Sequence, residues 1–201
     1  NWNDPYQIIA TYARNDGFRS TTSGGNRHAN GTDYDYSDWN IPLSKDAANN
    51  QEALLFYAPL AQVPQPLVLS QTDAEQQKQG RILAFGTQRP WISVDFGDSW
   101  LPIPSRNRNN DNAFIQDAGH LSGARISALA FQDSRNLLVG LEDGQIYLYK
   151  DKSANNDWSD FDPVKRLDNI PAGPLSVSKP ITDFALHPAN AGEFYVTLGG
   201  R

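Results

Sequence analysis

The sequence predicts an all-β fold built from repeated strand-turn-strand units. Short apolar and β-branched runs recur along the chain, turn residues separate the two runs of each pair, and the pairs recur at a regular spacing. With 201 residues, five Trp, eight Tyr and nine Phe, the chain has enough apolar surface to bury a core. We therefore expect one β-rich domain, or a part of one.

The strand pairs follow one plan, which is clearest in the third quarter of the chain. There Glu142-Asp143-Gly144 separates two apolar runs, and Asp-Gly is a strong hairpin signal because both residues tolerate positive φ. Each run is short enough for one strand and is rich in β-branched or aromatic residues. The plan predicts three pairs: 136–140 with 145–151, 81–86 with 91–95, and 6–11 with 17–21.

Two further runs have the small and apolar residues that suit a strand packed between neighbouring sheets. They are Ile126 to Phe131 and Ile181 to Leu186, and each leads through a turn into another hydrophobic strand. The corresponding strand near residue 60 is ambiguous, because either Glu52 to Ala58 or Leu67 to Ser70 could supply it. The last unit runs from His187 to Gly200 and is expected to hold a turn followed by a strand.

The most distinctive motif is Ser93-x-Asp95-x-Gly97-x-x-Trp100, which follows a predicted strand. The Asp95 carboxylate can accept hydrogen bonds from nearby backbone N–H groups. Gly97 supplies the positive φ that a tight hairpin needs, and Trp100 brings a large apolar side chain to the return strand. The motif therefore predicts a self-contained turn.

This octapeptide resembles the Asp-box, or BNR repeat, of β-propellers in the sialidase, xyloglucanase and sortilin-like superfamily. The resemblance implies blades of four antiparallel strands, with the box in a hairpin between the outer strands. Trp39, Trp100 and Trp158 recur about 60 residues apart, which is longer than typical propeller repeats and implies inserted loops. Ser20 to Gly24 and Tyr149 to Ser153 look like degraded copies of the box.

The resemblance implies about three to three and a half blades, which is too few for a closed ring of 4 to 8. The expected units are 1–50, 51–122, 123–175 and 176–201. We therefore expect a partial propeller, a fragment of a larger chain or one that closes its ring with another subunit.

Two functional hypotheses follow from the resemblance. The first is a non-catalytic binding or scaffolding propeller of a secreted or cell-envelope protein, extracellular or periplasmic, whose aromatic residues Tyr34, Tyr36 and Trp39 contact a protein or glycan partner. The alternative is part of a sialidase- or xyloglucanase-like glycoside hydrolase, with Asp38 as the candidate catalytic carboxylate. In both cases the box residues Ser93, Asp95, Gly97 and Trp100 are expected to be structural.

Composition argues against several other classes. The net charge of −6 and the lack of a basic stripe disfavour nucleic acid as a partner. The chain has no Cys for thiolate metal sites or thiol catalysis, and its three His are scattered, so we expect no metal and no cofactor. Asp33 to Asp38 and Asn155 to Asp162 alternate carboxylates without completing a calcium loop. No apolar run is long enough to span a membrane as a helix.

Overall fold

A computed structural model describes the β-rich part of the chain. It covers residues 8–11, 18–21, 55, 58–64, 81–97, 99–103, 124–160, 165–167, 179–187, 189–190 and 192–200. Twelve strands and no helix occur within these residues. The predicted all-β class is therefore confirmed for the described part, where no helix is available to cross a membrane.

The strands are short, as the spacing of the turn residues predicts. In chain order they are β1 (Ile8–Thr11), β2 (Phe18–Thr21), β3 (Leu60–Gln62), β4 (Leu83–Gly86), β5 (Pro90–Ser93), β6 (Leu101–Pro102), β7 (Ile126–Asp133), β8 (Asn136–Leu141), β9 (Ile146–Lys150), β10 (Lys165–Arg166), β11 (Ile181–Leu186) and β12 (Phe194–Leu198).

The strands form antiparallel sheets in which sequence neighbours are also spatial neighbours. Sheet I contains β1 and β2, sheet II contains β3 to β6, sheet III contains β7 to β10, and sheet IV contains β11 and β12. Within each sheet, every strand pairs with the next one along the chain, so sheets II and III are four-stranded meanders. Antiparallel neighbours that follow one another in the chain require no crossover connection.

The predicted hairpin between β8 and β9 is present. Gly144 has a φ of 88° and its N–H donates to the carbonyl of Leu141 at 3.1 Å. The Leu141 N–H in turn donates to Gln145 O at 2.9 Å. An L-residue is strained at such a φ, which explains why glycine occupies this turn.

Sheets II and III pack face to face over the larger core. Ala84 and Ile92 of sheet II, with Ile82 just before β4, meet Leu137 and Tyr149 of sheet III in one buried cluster. Leu137 and Tyr149 have no exposed surface. Full burial of such aliphatic side chains stabilises a fold by about 1.5–3 kcal/mol each, so this cluster is a main source of stability.

Sheets III and IV pack over a second core on the opposite face of sheet III. Ala128, Leu138 and Ile146 contact Ile181 and Phe184. Side chains alternate between the two faces of a strand, and β8 sends Leu137 to one core and Leu138 to the other. Sheet III is thus buried on both faces, and the three sheets form a stack.

Two glycines bring the sheets of the stack close together. A Cβ on Gly86 would lie 2.7 Å from Cγ2 of Ile126, and one on Gly140 would lie 2.5 Å from Cγ2 of Ile181. In both cases the isoleucine is the first residue of the next sheet's first strand. These first strands also touch one another, since β7 contacts both β3 and β11.

The prediction for the first strand of sheet II was wrong. That strand is β3, which falls between the two segments that the sequence offered, Glu52 to Ala58 and Leu67 to Ser70. It has three residues and lies between Pro59 and Pro64, so its apolar pattern is too short to stand out. Residues 52–54, 56–57 and 67–70 lie outside the described residues.

Candidate functional site

The Ser93 to Trp100 motif joins the third and fourth strands of sheet II. It starts at the last residue of β5 and ends immediately before β6. Phe96 and Gly97 have φ values of 65° and 97°, so two consecutive residues with positive φ reverse the chain. The Phe96 N–H donates to Arg81 O at 2.9 Å and ties the turn to the residues that precede β4.

Ser93 and Asp95 hold this turn together from inside. Ser93 is buried, and its Oγ accepts a 2.7 Å hydrogen bond from the Gly97 N–H while donating to Asp95 Oδ1 at 2.7 Å. Asp95 Oδ1 also accepts the Ser99 N–H at 2.9 Å, and its Oδ2 accepts the Ser99 hydroxyl. Both carboxylate oxygens are therefore engaged within the turn, as the motif predicts.

Trp100 closes the turn against the sheet. Its indole N–H donates to Gly97 O at 3.1 Å, and its ring meets Phe85 edge to face at 6.4 Å between centroids. Phe85 is fully buried, whereas Trp100 is half-buried. The tryptophan thus links the turn to the core through one hydrogen bond and one aromatic contact.

The electrostatics of Asp95 suit a structural role. Partial burial acts to raise its pKa, but the hydrogen bonds from Ser99 and Ser93 outweigh burial and lower the pKa below its ordinary value. A general acid in hydrolysis needs the opposite shift, toward neutral pH. Asp95 therefore stays ionised near neutral pH as a hydrogen-bond acceptor.

A second turn of the same kind follows β9 in sheet III, and only its beginning was expected from the sequence. Ser153 is buried and its Oγ accepts the Asp157 N–H at 2.9 Å, across the same four-residue interval that separates Ser93 from Gly97. The Ser153 N–H donates to Asp151 Oδ1 at 2.9 Å. The positive φ values fall on Asn156 and Trp158, at 54° and 58°.

Trp158 is the anchor of this second turn. It is fully buried, its indole N–H donates to Ser134 O at 3.1 Å, and its ring meets Phe131 edge to face at 5.9 Å. The motif spacing does not reveal this turn, because no glycine lies between Asp151 and Trp158. The repeat distance between Trp100 and Trp158 was the one sequence signal that could have found it.

A third polar group lies at the other end of the sheets, where β8 turns into β9. Arg125 and Glu142 form a bidentate ion pair, with Nη2 of Arg125 2.7 Å from Oε2 of Glu142. The pair raises the pKa of Arg125, and the same hydrogen bonds lower the pKa of Glu142. The Glu142 N–H also donates to Arg125 O at 3.0 Å, so the pair connects the start of β7 to this turn.

These groups share a chemical limitation. The carboxyls of Asp95, Glu142 and Asp157 all have lowered pKa values and are hydrogen-bonded within the protein. Ionised, hydrogen-bonded carboxylates of this kind can anchor loops but are poorly suited to donate a proton. Among the described residues, no group of three or more His, Asp or Glu side chains could hold a metal ion.

The other predicted site residues lie outside the described residues. They are the candidate catalytic Asp38 and the aromatic candidates Tyr34, Tyr36 and Trp39. The described sites are thus turns that stabilise the sheets, and the hypotheses on catalysis and partner contact stay predictions. Comparisons with protein-family models, with curated proteins and with solved structures find no match for this chain.

Proposed function

We propose that this chain forms blades of an Asp-box β-propeller that works as a non-catalytic binding or scaffolding module of a secreted or cell-envelope protein. The observation that carries the proposal is the stack of sheets II, III and IV, whose first strands touch one another. The repeating unit of a propeller is a four-stranded antiparallel blade, and consecutive blades pack face to face around a central channel.

The position of the Ser93 to Trp100 turn agrees with this arrangement. In Asp-box propellers the box lies between outer strands, and this turn joins the third and fourth strands of sheet II. The equivalent connection of sheet III holds the Ser153 turn. Two successive units therefore use a buried serine at the same step of the meander.

A binding role is preferred because the carboxylates of Asp95 and Glu142 are committed to structure. Asp95 and Glu142 are engaged in hydrogen bonds that lower their pKa values. Aromatic side chains in a polar stretch of the sequence, such as Tyr34, Tyr36 and Trp39, offer surfaces for stacking on sugar rings or anchoring a protein interface. These residues are the proposed contacts, with a protein or a glycan as partner.

A glycan array probed with the whole chain and with the Trp39→Ala variant tests the proposal. We expect saturable binding that falls at least tenfold in Trp39→Ala and stays within twofold in Leu101→Ala, a control at an exposed position of β6. A pull-down with the same variants tests a protein partner. Absence of a saturable partner in both assays would contradict the binding role.

The alternative enzyme hypothesis needs its own assay. Sialosides and xyloglucan oligosaccharides carrying a chromogenic leaving group would report hydrolysis, and Asp38→Asn is the matched variant. We expect no turnover above background for either form. Hydrolysis that Asp38→Asn abolishes would replace the binding proposal with a glycosidase.

A further inference from the structure

Sheet IV is the counterpart of the first half of sheet III. In both, a β-bulge follows the first residue of the first strand, after Ile126 in β7 and after Ile181 in β11. We count the paired residues of β7–β8 and of β11–β12 from Ile126 and Ile181. The fourth pair is then Ala130 with Leu138 in sheet III and Ala185 with Tyr195 in sheet IV. By this register β12 occupies the position of β8.

The two strands differ at their far edges. β8 pairs with β7 on one side and β9 on the other, and β4 is paired on both sides as well. Among the described strands, β12 pairs with β11 alone. A strand that is paired on one side only presents a row of unpaired backbone N–H and C=O groups to any strand that can reach it.

The hydrogen bonds identify which residues face the open edge. The His187 N–H donates to Glu193 O at 3.0 Å and the Gly199 N–H donates to Pro180 O at 2.8 Å, so these odd-numbered positions of β12 and its flanks point toward β11. Backbone groups alternate along an antiparallel strand. The N–H and C=O groups of Phe194, Val196 and Leu198 therefore point outward.

Side-chain exposure also distinguishes one face of β12 from the matching face of β8. Leu138 of β8 has no exposed surface, whereas Tyr195, at the matching position of β12, is 62 % exposed. The opposite face of β12 is covered, since Phe194 and Val196 pack against the core between sheets III and IV. An added strand would thus extend a sheet that already has one packed face.

The chain itself contains a matching piece. Sheet I is an antiparallel hairpin of β1 and β2, with four residues in each strand. Sheets II and III have four strands each, whereas sheets I and IV have two described strands each. β2 is also the last described strand before sheet II begins at β3. In the same way, β6 and β10 are the last strands before sheets III and IV begin at β7 and β11.

We propose that the β1–β2 hairpin of a second copy of this chain completes sheet IV, with β1 pairing antiparallel to β12. Reciprocal exchange by two copies produces three complete sheets per copy and six in all, which is within the range of closed propellers. β1 and β2 are then the third and fourth strands of the completed sheet. The degraded box at Ser20 to Gly24 predicts instead that they are second and third, because a box follows the third strand. The proposal depends on strand edges alone, so failure of glycan binding would leave it intact.

The absence of cysteine makes cross-linking a direct test. Tyr195 occupies the position of Leu138, which pairs with the third residue of β9, Leu148. If β1 takes the place of β9, its third residue, Ala10, is the partner of Tyr195. Because Tyr195 turns its backbone toward β11, its partner across the open edge forms a non-hydrogen-bonded pair, close enough for a disulfide. Mixing Tyr195→Cys with Ala10→Cys under mild oxidation should then yield a covalent heterodimer.

The control replaces Ala154, an exposed residue away from the edge, and mixes Ala154→Cys with Ala10→Cys. We expect at least tenfold less cross-linked product in the control, and a sedimentation mass for the unmodified chain of twice 22.3 kDa. Equal yields in both mixtures would indicate random collision and overturn the proposal.

Two other outcomes would also overturn it. A double Tyr195→Cys, Ala10→Cys variant that forms only an internal disulfide in a monomer would show that the hairpin completes its own chain's sheet. A monomer whose Phe194, Val196 and Leu198 amides exchange as fast as those of exposed loops would show that the edge stays open. Protection of these amides in a dimer supports the proposal.

Discussion

The Ser93 turn of sheet II and the Ser153 turn of sheet III contain the same type of serine hydrogen bond but are built from different residues. In both, a buried serine hydroxyl accepts the N–H four residues later. The first turn uses Gly97 for positive φ and leaves Trp100 half-buried, while the second uses Asn156 and buries Trp158 completely. A turn can therefore keep its hydrogen bonds after losing its motif, provided that the core holds it more strongly.

The largest expected difference between the two turns concerns their tryptophans. Trp158→Ala should destabilise the fold by about 3–5 kcal/mol, because it removes a fully buried ring and leaves a cavity. Trp100→Ala should cost about 1–2 kcal/mol, since that ring is half-buried and contributes one hydrogen bond. Urea unfolding followed by far-ultraviolet circular dichroism measures both.

Trp158→Phe is the control for this comparison. It keeps an aromatic ring beside Phe131 and loses the bond to Ser134 O, so its cost should be smaller than that of Trp158→Ala. Equal losses for Trp100→Ala and Trp158→Ala would show that burial does not distinguish the turns.

The next effect concerns the residues that donate to the two serines. Gly97→Ala should cost about 1–2 kcal/mol, because an L-residue is strained at a φ of 97°. Asp157 supplies the corresponding N–H in the second turn without a positive φ, and Asp157→Ala keeps that N–H. The variant loses the exposed bonds from Ser159 to the carboxylate, so it should cost about 1 kcal/mol or less. Thermal unfolding of both variants measures the difference, and a larger cost for Asp157→Ala would contradict it.

The smallest effect is the pH dependence of Asp95 and Asp157. Hydrogen bonds lower both pKa values in the folded protein below the ordinary 3.8, although burial opposes the shift. Each carboxylate therefore stabilises the fold above about pH 4, and this contribution is lost as the pH falls through the folded pKa. Carboxyl titration by NMR should place both groups below 3.8.

The Ser99→Ala variant tests the cause of the lowered Asp95 pKa. Ser99 donates through its N–H and its hydroxyl to Asp95, and the substitution removes the hydroxyl bond alone. The Asp95 pKa should then rise while that of Asp157, which depends on Ser159, stays unchanged. Titration of Asp95 at or above 3.8 in the unmodified protein would show that its hydrogen bonds do not outweigh burial.

Sequence patterns predicted the elements that carry strong local signals. The β4–β5 and β8–β9 pairs were expected because their strands are apolar, and the β8–β9 turn also contains Gly144. β3 was missed because its three residues lie between prolines and alternate weakly. The Ser153 turn was only partly found because Trp158 is fixed by Ser134 and Phe131, contacts that depend on the packed sheet.

The contacts of Ile126 with Gly86 and of Ile181 with Gly140 indicate an order of folding. The bonds within each serine turn join residues at most four apart, so they form with almost no loop to close. Each Ile–Gly contact joins residues roughly 40 apart and forms only after two sheets exist. Individual meanders should therefore fold first and dock afterwards, so changes at Ile126 or Ile181 would mainly accelerate unfolding.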